Sequence, residues 1–180
     1  MAKKRRRRPS PTVPGLAGDG ARFVEDFQKE TDRGAALAAA AFLDEVLEAM
    51  LRAFFIDDRR TADRLLEYPG AIAAFAARTD LAYAVGLLGP KMHADLRIIR
   101  DIHNRFAHSH HPVTFDDPTV AGLCRKLQAV TLLSLSSALG PRDRFISNAG
   151  VLVALMMVRA LSVRHAKVGG DFALAQVVRV

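Results

Sequence analysis

Tryptophan is absent from this 180-residue chain, tyrosine occurs twice and cysteine once, at Cys124. So few of the rings that favour pleated surfaces, set against abundant Ala and Leu, point away from β architecture. A single cysteine excludes an internal disulfide and suits a reducing compartment; its ordinary use is as a small buried apolar side chain. Long hydrophobic runs are also missing. The longest apolar stretch, Ala149 to Leu161, spans 13 residues and already contains Arg159, short of the roughly 20 that cross a bilayer, so no membrane span is expected. Residues 19–180 contain no helix-turn-helix pattern, Gly-rich phosphate loop, G-x-S-x-G elbow or zinc finger. No repeat of fixed period occurs.

What the chain does have is basic charge, unevenly placed. The net charge is +7, and Lys3, Lys4, Arg5, Arg6, Arg7 and Arg8 supply six of the positive charges in a stretch without an acid. Taking those six from +7 leaves +1 for residues 11–180, so attraction to phosphate resides in the arm rather than on the folded surface. Pro9, Pro11, Pro14 and Gly15 follow where the apolar region of a secretion signal would stand, and the expected location is cytoplasmic. Residues 1–18, Arg-rich and then Pro/Gly-rich, are expected to form a disordered arm. Residues 19–180 are long enough to bury one core as a single domain.

Along that domain the apolar spacing is helical. Phe23, Phe27 and Thr31 recur every fourth residue, with Gly34 at or near the junction to the next helix. Residues 35–56 carry a wide apolar face from Leu37 to Phe54, with Asp44, Glu45, Glu48 and Arg52 on the expected wet side. Thr61 is the expected cap of a short helix holding Leu65 and Leu66. Residues 71–88 read as one bent helix or two short ones, interrupted by Arg78, Thr79 and Asp80. Pro90 fits the first turn of a helix ending near His108. Val113 to Phe115 reads as extended, and Asp116 or Asp117 before Pro118 as the cap of a helix that continues to about Ala138. A last helix is expected from Arg142 to Val168, bent near Gly150. The sum is an all-α bundle of about six helices.

Polar chemistry concentrates in IIRDIHNRFAHSHH. Arg100, Asn104 and His108 are spaced by four and share one side of a helix. Histidine offers acid–base chemistry, arginine a clamp for anions and asparagine an orienting donor and acceptor. The structural account of the same residues is a network in which Asn104 and His108 bond nearby backbone at a helix C-terminus, where a cationic His is favoured. Arg100, His103, Asn104, Arg105 and His108 are thus the binding candidates, and Lys3 to Arg8 the candidates for sequence-independent phosphate contacts. Five of the six histidines fall between His93 and His111. Without a Cys pair or H-E-x-x-H spacing they are not expected to hold a metal, and no cofactor is expected.

Two segments, Glu30 to Asp58 and Phe75 to Pro118, resemble the mannitol operon repressor family, most specifically in RTDLAYAVGLL and in IRDIHNRFAH followed by TFDD. The resemblance implies an all-helical bundle engaged in transcription regulation, without a recognised DNA-binding motif and therefore acting through a protein partner, as a dimer. The second segment is also similar to the signature of HEPN domains, helical bundles that include ribonucleases. In that line-up Asn104 and His108 match, and His103 stands where the family's catalytic Arg belongs. Arg100 and Arg105 lie about 60° and 160° around the helix from that position, so a non-enzymatic protein is the expectation. The alternative is a HEPN-type ribonuclease or a toxin-like RNA-binding protein using Asn104 and His108, aided by Arg100 or Arg105.

Overall fold

The computed structural model describes residues 26–133 and 139–169, and the basic arm lies outside them. Residues 26–29 make a single helical turn. Helix α1 then runs from Asp32 to Phe54, with the Thr31 hydroxyl accepting from the Gly34 amide. Gly34 therefore sits in the first turn of α1, near the junction as expected. Every side of α1 except a narrow strip is covered, as Ala35, Ala39, Leu43, Val46, Leu47 and Met50 are buried. It is the central helix, packed against α6 (Pro141–Ser162), α4 (Pro90–His108) and α3 (Phe75–Ala84). Small alanines along its first half let neighbouring helices approach closely.

Of the expected wet side of α1 only Glu45 is exposed; Asp44, Glu48 and Arg52 are half-buried. Arg78 of α3 is buried against it, donating to Asp44 at 2.7 Å and to Glu48 at 3.0 Å. Arg52 bonds Glu48 at 2.9 Å and Asp63 at 2.7 Å. Asp63 belongs to α2 (Arg59–Leu66), whose cap is Asp58 rather than Thr61: the carboxylate accepts from the Arg60 and Thr61 amides. The polar interruption expected near Arg78 is thus one continuous helix, α3, whose Arg78 and Thr79 point inward. Its chain exits through Gly86, which at φ 76° adopts a backbone conformation that only glycine reaches without strain.

Pro90 opens α4 in its first turn. Val113 to Phe115 forms no strand; Phe115 turns into the core between Phe106 and Phe145, with ring centroids 5.1 and 5.0 Å away. Asp117, not Asp116, caps α5 (Pro118–Arg125). That helix does not continue to Ala138. Buried Asp95 of α4 takes the Gln128 and Ala129 amides, and buried Asn148 of α6 takes that of Val130, so the chain is drawn into a 3₁₀ turn over Ala129–Leu133. Amides captured by side chains are unavailable to an α-helical ladder.

Helix α6 passes through Gly150 as one helix and ends at Ser162, short of Val168. The Ala166 amide donates to the Phe54 carbonyl at 2.7 Å, and the His165 ring bonds that of Phe55 at 2.6 Å, so the chain leaves the helix to satisfy the C-terminal carbonyls of α1. By length and composition α6, with a mean hydropathy of 1.7 over its most apolar stretch, would suffice to cross a membrane, which the 13-residue run had not suggested. Half of that stretch is buried inside the bundle, as befits a core helix.

Candidate functional site

Helix α4 buries Asp95, Leu96, Ile99, Ile102 and Phe106 on one side. A helical period places the opposite side outward, and there Arg97, Asp101, Asn104, Arg105 and His108 are exposed, with Arg100 half-buried among them. The line Arg100, Asn104, His108 therefore exists as spacing indicated, and it faces solvent. Its members do not converge on a common point. Arg100 pairs with Asp101 at 3.1 Å, and the His103 ring meets the Asn104 side-chain amide oxygen at 3.2 Å.

Among the described residues, the expected backbone bonds from Asn104 and His108 do not form. The Ala107 carbonyl in the last turn is taken instead by Arg33 of α1 at 3.1 Å. Beyond the helix, the Ser109 hydroxyl donates to the His111 carbonyl and accepts the His111 amide, which turns His110 and His111 outward. These two histidines border an open cleft of about 530 Å³ whose other walls include Thr31, Arg33, Phe106 and Thr114. No group of three or more His, Cys, Asp or Glu among the described residues is placed to hold a metal ion. Outer charge on α4 is mainly cationic: three arginines with one aspartate between them.

What holds this end in place was not visible in the sequence. Asp32 of α1 accepts the Phe115 amide at 2.9 Å and pairs with Arg142 of α6. Arg142 donates as well to the carbonyls of Phe27 and Glu30, and its guanidinium lies 6.0 Å from the centre of the Phe115 ring. The TFDD segment is thereby accounted for: Phe115 is a core plug, Asp117 a helix cap and Asp116 an exposed neighbour. Signals for Asp32 and Arg142 were faint, since an acid in a first turn and an Arg after a Pro are ordinary. The Cys124 thiol is pushed up to about 12, foremost by burial, which leaves it inert as a nucleophile at neutral pH.

These features define an all-α bundle that presents an exposed, mostly cationic helix face. The chain belongs to the mannitol repressor family, whose model matches residues 22–161. In fold it is similar to a chain of the MtlR–HPr complex from Escherichia coli, with a TM-score of 0.65, 16% identity, and coverage of 78% of this chain and 99% of that one. It is similar also to YggD from Shigella flexneri, described as a possible transcriptional regulator, with a TM-score of 0.58, 14% identity, and coverage of 79% and 96%. No curated protein matches the sequence.

Proposed function

We propose that this protein is a non-enzymatic, cytoplasmic transcription regulator of the mannitol-repressor type, which works as a homodimer by docking a protein partner on the outer face of α4. The observation that carries this reading is the outer face of α4, where Arg97 and Arg105 are exposed and Arg100 is half-buried beside Asp101, on a member of this family. Such a face favours a partner with an acidic surface, since complementary charge sets approach and register. HPr, the protein in complex with MtlR in the related E. coli structure, supplies the probe. Control of a mannitol operon is the role the family suggests.

Titration calorimetry of the full chain against HPr from the same cell is expected to show binding. Exchanging both Arg97 and Arg105 for Glu is expected to weaken it about 30-fold or more, as charge reversal on a complementary face does. Binding by the double variant equal to wild type would remove α4 as the docking face.

The arm has a separate role in the proposal. Lys3 to Arg8 give sequence-independent DNA contact, which weakens steeply with salt. Deleting residues 1–10 is expected to abolish DNA retention in a gel-shift series of rising salt. Sequence-specific binding that survives the deletion would contradict this division of labour.

A second reading rests on Asn104 and His108 sharing the outer side of α4, the arrangement that resembles a HEPN ribonuclease. Here His103, in the place of the family's Arg, is bonded to Asn104. The purified chain is therefore expected to leave RNA intact, with or without divalent ions. RNA cleavage abolished by His108→Ala would establish the enzyme instead.

A further inference from the structure

The open cleft at the joint of α1 and α4 has a volume of about 530 Å³, within the range of cavities that hold small molecules and more than one docked side chain fills. Its walls differ in character. Phe106, Pro112 and Val113 are apolar, whereas Arg33, His110 and His111 are exposed and bring N–H donors to it. Arg33 spends one guanidinium nitrogen on the Ala107 carbonyl at 3.1 Å, which anchors the group at the edge of the cleft. Among the described residues no acid pairs with it, and neither imidazole has a hydrogen-bond partner. Asp32 is the one acid in the lining, and its carboxylate is already taken by the Phe115 amide at 2.9 Å and by Arg142. Thr31 and Thr114 add hydroxyls; that of Thr31 accepts from the Gly34 amide and keeps its own proton to give. Donors from α1 and from the loop after α4 thus face one space whose single carboxylate is neutralised.

We propose that the cleft binds a small phosphate monoester, with its phosphate against Arg33, His110 and His111 and its organic body on Phe106, Pro112 and Val113. The supply of donors selects the ligand. An arginine without an acid partner offers the remaining N–H groups of its planar fork to the oxygens of an anion. Two imidazoles and two hydroxyls then leave donors for more oxygens than a carboxylate has. A tetrahedral phosphate uses them from both sides of the cleft, whereas a neutral ligand would leave the guanidinium unanswered. The apolar wall takes the rest of the molecule, which inorganic phosphate lacks. Arg33 also holds the last turn of α4, so the ligand and the end of that helix share one side chain. Arg97 and Arg105 lie outside the lining, and the charge reversal that tests partner docking therefore leaves this site intact.

The test is calorimetry and amide NMR of the full chain with phenyl phosphate and with inorganic phosphate. Phenyl phosphate is expected to bind about tenfold more tightly, because only its ring covers the apolar wall, and to shift the resonances of His110, His111 and Thr114. Arg33→Met is expected to weaken binding about 20-fold, the loss of a charge-assisted contact, with the melting temperature retained because the residue is exposed. Thr114→Glu, also at an exposed position, sets a free carboxylate in the cleft and is expected to abolish binding. Arg60→Met, exposed on α2, is expected to bind as the wild type does. No binding at millimolar phenyl phosphate, undiminished binding by Arg33→Met, or an equal loss in Arg60→Met would overturn the assignment. Weakened HPr binding by Thr114→Glu, in a protein that ignores phenyl phosphate, would overturn it in favour of a side chain of the partner.

Discussion

Arg78→Met is expected to lower folding stability by about 3–5 kcal/mol at neutral pH, the range for breaking a buried ion pair from one side. The side chain is only 7% exposed and makes three contacts: Asp44, Glu48 and the Leu66 carbonyl at 2.7 Å. Glu48 keeps Arg52 in the variant, but Asp44 loses its one cationic partner among the described residues, and its other oxygen is already buried without a partner there. Methionine fills much of the volume, so the loss is electrostatic rather than a cavity. The pH dependence follows from Asp44, whose pKa is raised because burial outweighs the attraction of Arg78. A carboxyl raised in the folded state contributes stability fully below its unfolded pKa and loses it as pH rises through the folded one. Without Arg78 both lowering influences from that residue vanish, and the folded pKa climbs further. The deficit is therefore expected to be small near pH 4 and to grow toward neutrality. Urea midpoints of both proteins across that range measure it; a constant deficit, or one below about 1 kcal/mol, the usual worth of a surface pair, would show that the network is not cooperative.

Arg78 also marks how far the sequence could be read. Periodicity located every long helix, because an apolar face must repeat near 3.6 whatever it packs against. Pro90 and the Asp before Pro118 fixed two helix starts because Pro at N1 and an acidic cap act within one turn. Charged residues on α1 were placed in water because one helix in isolation shows only its own amphipathicity. Their burial depends on an Arg 30 positions further along the chain, a fact of tertiary packing. The ends of α5 and α6 were overrun for the same reason: Asp95, Asn148 and the α1 carbonyls that redirect the chain are distant in sequence. At the candidate site, spacing gave the outward line of Arg100, Asn104 and His108, since these lie on a single helix. The clasp of Asp32 and Arg142 that supports this end joins residues 110 apart, and its local signals were too ordinary to point to it.

Asp95→Ala is the second large effect, expected at about 3 kcal/mol, because it strands amides that accept no substitute from water. Asp95 is fully buried, and its two oxygens take the Gln128 amide at 3.0 Å each and the Ala129 amide at 2.7 Å. Asn148 already serves Val130 at 2.8 Å. Asp95→Asn retains one oxygen acceptor but sets an amide group against donors, so an intermediate loss is expected. The decisive measurement is local. Hydrogen exchange at Gln128 and Ala129 is expected to accelerate by at least as much as global unfolding does in Asp95→Ala, while exchange within α1 follows the global change alone. Because Asp95 stands on α4 and Asn148 on α6, the turn they grip ties the helix carrying the outer arginines to α6. Coupling between Asp95→Ala and Asn148→Ala in a double-mutant cycle is therefore expected to exceed the few tenths of a kcal/mol seen for independent sites. Additive losses would mean that α4 and α6 are held together by core packing alone.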